Sequence, residues 1–160
     1  MSEQMSDGNS QRADEPTPDR VVRVSKMISA TPQQIFDLLA DPSRHQSIDG
    51  SGTVRDALSD APQRLSLGSR FGMKMRLGLP YRITNEVVEF DEPTLIAWRH
   101  FGGHIWRYRL EEVADGTVVT EEFDWRRAKS PPMLRATRTP ERNRKAIEGT
   151  LDRLAALFAD

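Results

Sequence analysis

The 160-residue chain has 37% hydrophobic and 29% charged residues and a net charge of −1, so it reads as one globular domain with no global charge argument for nucleic acid. It contains no cysteine, which excludes disulfides, thiolate metal sites and thiol nucleophiles together. No apolar run approaches the roughly 20 residues a membrane helix needs, no secretory signal is evident at the N-terminus, and a cytoplasmic location is the simplest expectation.

Residues 1–20 are polar and rich in Ser, Asp, Glu, Gln, Gly and Pro, which predicts a disordered tail; the domain is expected to span 21–160. Val22, Val24 and Lys26 to Ile28 read as a first strand. A helix follows at Thr31-Pro32, where threonine caps, proline suits the first helical position and Gln34 completes a capping box. Ile35, Phe36, Leu38 and Leu39 give it an apolar side. Asp41-Pro42 ends it, and a second short helix is expected from Pro42 to about Ile48.

Strands then dominate. Thr53 to Leu58 is weakly patterned. In Gly68 to Leu77, by contrast, Phe71, Met73, Met75 and Leu77 alternate with Arg70, Gly72, Lys74 and Arg76, which predicts one buried and one wet face. Tyr81 to Phe90 and Thr94 to His100 are two further strands around the turn Asp91-Glu92-Pro93. Gly102-Gly103 makes another turn. Trp106, Tyr108 and Leu110 alternate with Arg107, Arg109 and Glu111. Asp115-Gly116 signals a tight hairpin, and Thr117 to Trp125 follows with Val119, Phe123 and Trp125 on one face. Pro131 to Arg138 reads as a short helical turn. Thr139-Pro140-Glu141 starts a long helix as cap, first-turn proline and first-turn acid, and Ile147, Leu151, Leu154 and Phe158 form one apolar stripe along it.

The order predicts an α+β domain: a strand, two short helices, about six antiparallel strands and a long amphipathic helix. A sheet with one apolar face needs a cover, and the terminal helix supplies it. Residues 126–145 carry eight cations, Arg126, Arg127, Lys129, Arg135, Arg138, Arg142, Arg144 and Lys145, against the single acid Glu141. They form either an anion-attracting face or a solvated helix face balanced by Glu148 and Asp152.

Three segments carry a family likeness: VSKMISATPQQIFDLLADPSRHQSIDGSGTV, YRITNEVVEFDEPTLIAWRHFGGHIWRYRLEEVADGTVVTEEFDW and PERNRKAIEGTLDRLAALF. Together they resemble the polyketide cyclase/dehydrase branch of the START (SRPBCC, Bet v 1-like) superfamily, of the kind common in actinobacteria, over residues 21–158. The resemblance implies a helix-grip fold, in which a curved antiparallel sheet of six to seven strands wraps a long C-terminal helix and leaves a cavity between them. It implies a small hydrophobic molecule as partner. It carries over no catalytic residue, because the superfamily spans carriers, receptors, co-chaperones and a minority of enzymes. No cofactor, metal or nucleic acid is called for, and a homodimer is allowed but not required.

Alternation nominates the cavity wall: Met73, Met75, Trp98, His100, Trp106, Tyr108, Phe123 and Trp125, each alternatively plain core packing. Glu121 falls in phase with Val119 and Phe123. An inward carboxylate needs a partner such as His100 or Tyr108, and its pKa would rise as acid–base chemistry requires; alternatively it is a wetted rim position, with Glu122 inward if the phase is reversed. Asn85 and Glu89 share the phase of Ile83 and Val87. His100 and His104 bracket a turn, and with Glu121 they raise a metal reading that no helical spacing supports. Ser47, His45 and Asp49 have hydrolase residue types without a nucleophile elbow, so cap and turn roles are expected. Two functions stay open beside ligand binding: a cyclase or dehydratase using Glu121, His100 and Tyr108, and a co-chaperone docking through the basic C-terminal face.

Overall fold

The computed structural model describes residues 20–58 and 61–159, so the expected tail, Arg20 apart, lies outside the described residues. Seven antiparallel strands form one sheet in the order β1-β7-β6-β5-β4-β3-β2. They are β1 (Val21–Ile28), β2 (Val54–Ala57), β3 (Arg70–Leu77), β4 (Leu79–Asp91), β5 (Leu95–His100), β6 (Ile105–Val113) and β7 (Gly116–Asp124). Between β1 and β2 lie helix α1 (Pro32–Leu39), a 3₁₀ turn (Pro42–Arg44) and helix α2 (His45–Ile48). Helices α3 (Pro131–Ala136) and α4 (Thr139–Leu157) close the chain, giving the α+β helix-grip arrangement. No helix among the described residues is long and apolar enough to cross a membrane.

The local reasons are visible in the sequence. Thr31 and Gln34 form the reciprocal capping box, with the Gln34 N–H donating to Thr31 Oγ1 and the Thr31 N–H donating to Gln34 Oε1. The apolar side of α1 is fully buried, and Phe36 meets Phe90 of β4 edge-on at 5.4 Å. This packing fills one end of the sheet–helix space. In α4, Ile147, Leu151 and Leu154 are buried, so the predicted stripe is the face that meets the sheet.

Several boundaries differ from the sequence reading. Thr139 is the first residue of α4 and not its cap; Arg138 occupies the cap position in a left-handed conformation, φ 54°, because α3 runs almost directly into α4. The β6–β7 loop is Ala114-Asp115, with Val113 opposite Gly116. Glycine is required at 116 because a Cβ there would lie 2.1 Å from the Ile28 carbonyl oxygen. In β4 the register shifts between Val87 and Glu89. Val88 is the extra residue of a bulge, so Val87 stays inward while Glu89 turns to the convex face.

That convex face holds an ion cluster. Arg107 is nearly buried and donates to Glu89, Glu122 and Asp124, while Arg23 and Arg109 also donate to Glu122. Glu122 is 1% exposed although it points away from the cavity, because these guanidinium groups cover it.

Candidate functional site: a cavity between sheet and terminal helix

The sheet's inner face and α4 enclose a cavity of about 530 Å³. Its walls follow from register. Trp98 pairs with Trp106 across β5–β6, Tyr108 with Glu121 across β6–β7, and Met73 with Ile83 across β3–β4. These positions share one face because side chains alternate along each strand. Met73, Met75, Trp98, His100, Trp106, Tyr108 and Glu121 all line the space. Phe123 and Trp125 do not, which corrects their placement on the same wall. Phe123 is wholly buried behind Trp106 and His104. Strand β7 ends at Asp124, so Trp125 leaves the sheet and sits between the guanidinium groups of Arg20 and Arg135.

Two aromatic groups shape the interior. His45 stacks on Trp98 at 5.0 Å, and Trp98 also meets Phe71 and Tyr108. His100 and His104 stack at 4.3 Å across the β5–β6 turn. Burial, and then the neighbouring His100, lower His104 to about 3, and burial lowers His100 and His45 as well. All three rings are therefore neutral at pH 7. Glu121 hydrogen-bonds Tyr108 instead of joining the two stacked histidines, and among the described residues no three His, Asp or Glu side chains gather as a metal-holding group.

Polar groups are sparse and specific. Glu121 is inward and buried, and Tyr108 Oη donates to its Oε1 at 2.8 Å. Among the described residues, its other oxygen, Oε2, has no partner, and neither does Oδ1 of buried Asn85. Burial, reinforced by the charge of Asp49, raises the Glu121 carboxyl to about 8. At neutral pH it is mostly a carboxylic acid, so Oε2 can present a proton while Asn85 Oδ1 presents lone pairs. Asn85 was legible only as one of two in-phase candidates; its register with His100 and Phe71 places it inside.

The loop after α2 forms one lip. Asp49 accepts from the Ser51 and Val54 N–H groups, and the Gly50 N–H donates to Thr150 Oγ1 of α4. His45 Nε2 bonds the Leu39 carbonyl and Ser47 Oγ donates to the Arg44 carbonyl, so these residues are turn and packing groups and no Ser-His-Asp relay exists. The opposite lip is α4, where exposed Arg142 and Lys145 line the rim. The basic run thus divides: these two face the cavity mouth, Arg126 pairs with Asp124, and Arg135 stacks on Trp125.

The comparisons with known proteins agree with this architecture. The chain is 39% identical over 148 residues to the uncharacterized protein Rv0088 of Mycobacterium tuberculosis, covering 89% of this chain and 65% of that protein, so it spans just under two-thirds of that relative's length. Among solved structures, protein CV1439 from Chromobacterium violaceum superposes with a TM-score of 0.68 at 18% identity, covering 89% of this chain and 99% of that one. The Polyketide_cyc-like protein Cgl2372 from Corynebacterium glutamicum gives 0.57 at 20% identity, covering 86% and 88%. At these identities the two structures show the fold alone. The family model described as "Polyketide cyclase / dehydrase and lipid transport" matches residues 19–159, nearly the whole chain, and the chain belongs to that family.

Proposed function

We propose that this chain is a cytoplasmic binding protein that holds a small hydrophobic or amphipathic molecule, such as a lipid, polyketide or aromatic metabolite, between its sheet and α4. The observation that carries this reading is a pair of buried, unpartnered polar atoms, Glu121 Oε2 and Asn85 Oδ1, on residues that line an otherwise largely aromatic and aliphatic cavity. An unpaired buried polar atom costs about 1–3 kcal/mol. Glu121 on β7 and Asn85 on β4 lie three strands apart, so a ligand with two separated polar groups satisfies both atoms: one group accepts from protonated Glu121 and the other donates to Asn85. Met73, Met75, Trp98, Trp106 and Tyr108 then contact the ligand's apolar body, with His100 nearer the rim. The volume suits a single small molecule.

Native mass spectrometry of the purified chain, compared with its denatured mass, tests this directly. The expected result is an added mass lost on denaturation, reproduced when an aromatic polyol is added to the apo protein and weakened about tenfold in Asn85→Leu. No retained mass, together with no quenching of Trp98 and Trp106 fluorescence by any hydroxylated aromatic or fatty probe, would remove the binding reading.

A second reading rests on the raised Glu121 carboxyl beside Tyr108, a proton donor and acceptor at neutral pH. It makes the same cavity a cyclase or dehydratase site. A bell-shaped pH–rate profile lost in Glu121→Gln supports it; unchanged turnover in that variant takes Glu121 out of any mechanism.

A further inference from the structure

Strand β4 begins at Leu79, but β5 pairs with it only from Asn85 onward. Residues 79–84 therefore pair with β3 alone. At about 3.3 Å per residue, this hairpin projects roughly 20 Å past the end of β5. Its two faces differ. Leu77, Leu79 and Tyr81 point to the cavity side and are 62%, 78% and 43% exposed. Lys74, Arg76 and Arg82 alternate onto the other side and are exposed. No acid occurs from residue 71 to residue 85.

Among the described residues the cations have little counter-charge. Arg82 sits directly opposite Lys74 in the β3–β4 register, an unfavourable like-charge pair, and Lys74 has only Asp56 of β2 on its other side. Arg76 and Arg82 make no ion pair among the described residues. The apolar exposure is equally concentrated. Phe101 on the β5–β6 turn (64% exposed) follows His100, which pairs with Asn85 at the base of the hairpin. Single exposed apolar residues are ordinary, but three on one face of a hairpin, with Phe101 near its base and cations on the other face, form a surface.

We propose that the β3–β4 hairpin is a docking element for a bilayer bearing anionic lipids, which seats the cavity mouth on the membrane surface. Leucines at the tip enter the acyl boundary, Tyr81 lies at headgroup level, and Arg76 and Arg82 meet the anionic headgroups. A second copy of the chain fits less well, because pairing two tips brings two uncompensated cationic faces together. The docking concerns the rim, and its test is independent of what the cavity holds.

The test is flotation of the full chain with vesicles of phosphatidylcholine alone or mixed with phosphatidylglycerol, at low and high salt. The expected result is flotation with the mixed vesicles, loss of it at high salt, and little with phosphatidylcholine alone. Leu79→Glu and the double variant Arg76→Glu/Arg82→Glu each weaken it by at least about tenfold. Neither substitution touches the cavity wall, so melting temperature and quenching by an apolar probe are expected to match the wild type. Absent flotation with mixed vesicles, or equal flotation of wild type and both variants, overturns the docking. A concentration-dependent dimer lost in Leu79→Glu, without vesicle binding, overturns it in favour of self-association.

Discussion

Tyr108 and Glu121 face each other in the β6–β7 register, and the tyrosine hydroxyl donates a 2.8 Å hydrogen bond to one carboxyl oxygen while the other oxygen stays buried and unpartnered. Burial outweighs that hydrogen bond, so the carboxyl keeps its proton in the folded chain up to about pH 8, against 4.5 ordinarily. The unfolded chain releases the same proton from about 4.5 upward. Folded protein therefore binds more protons in this window, and stability falls as pH rises through it.

Glu121→Gln removes this titration and keeps an acceptor for Tyr108. The variant is expected to equal the wild type below pH 4.5 and to exceed it above about pH 8, by a few kcal/mol. Urea midpoints measured across pH check this. Parallel curves for the two proteins would mean the carboxylate is already ionised in the fold.

His104 acts with the opposite sign. Its ring is held neutral by burial and by His100, down to about pH 3, whereas an unfolded histidine gains a proton near 6.5. Stability is therefore lost as pH falls from 6.5 toward 3. His104→Phe keeps the aromatic contacts with Phe123 and His100 and is expected to flatten this acid limb. The same midpoints below neutral pH decide it; an unaltered acid limb would assign the loss to His45 and His100 instead.

Much of the wall was legible because its residues obey a period of two. Met73 and Met75, Trp106 and Tyr108, and Glu121 beside Val119 each declare a face through their neighbours. Glu89 did not, because alternation assumes an unbroken ladder and the bulge at Val88 reverses the phase within β4. Nor could alternation show that the space ends before Trp125, since the chain leaves the sheet one residue earlier. Arg142 and Lys145 read as part of a charged run; that they line a rim depends on where α4 crosses the sheet, a tertiary fact with no local signature. The GSG at 50–52 lacks the Lys-Ser/Thr that follows in a phosphate loop, and its first glycine has a packing cause.

Gly50 packs against Gly149 where the lip loop crosses α4. A Cβ at Gly50 would lie 2.2 Å from the Ala146 carbonyl oxygen and 2.4 Å from the Thr150 nitrogen, both backbone atoms that cannot swing aside. Gly50→Ala is expected to lose about 2 kcal/mol or more and to break the Gly50–Thr150 hydrogen bond. Gly52→Asn is the control: its φ of 73° suits asparagine and nothing lies within 4 Å of its Cβ. Equal melting temperatures for the two variants would show that loop and helix are not held together here.

Arg107 is the keystone of the convex face, where Glu122 and Asp124 are almost fully covered. Burial alone would raise both carboxyls, but hydrogen bonds from Arg107, with Arg23 on one and Arg126 on the other, hold them below their ordinary values. They stabilise the fold above the ordinary carboxylate range, and the contribution fades as pH falls through their lowered values. Arg107→Leu leaves two covered carboxylates short of a partner, at a cost of about 3–5 kcal/mol at neutral pH. The cost should shrink in acid as both take up protons. Because the cluster lies across the sheet from the cavity, quenching of Trp98 and Trp106 by an apolar probe should survive in the fraction that stays folded. A pH-independent stability gap would mean that Arg107 matters by packing its aliphatic stem rather than by neutralising Glu122 and Asp124.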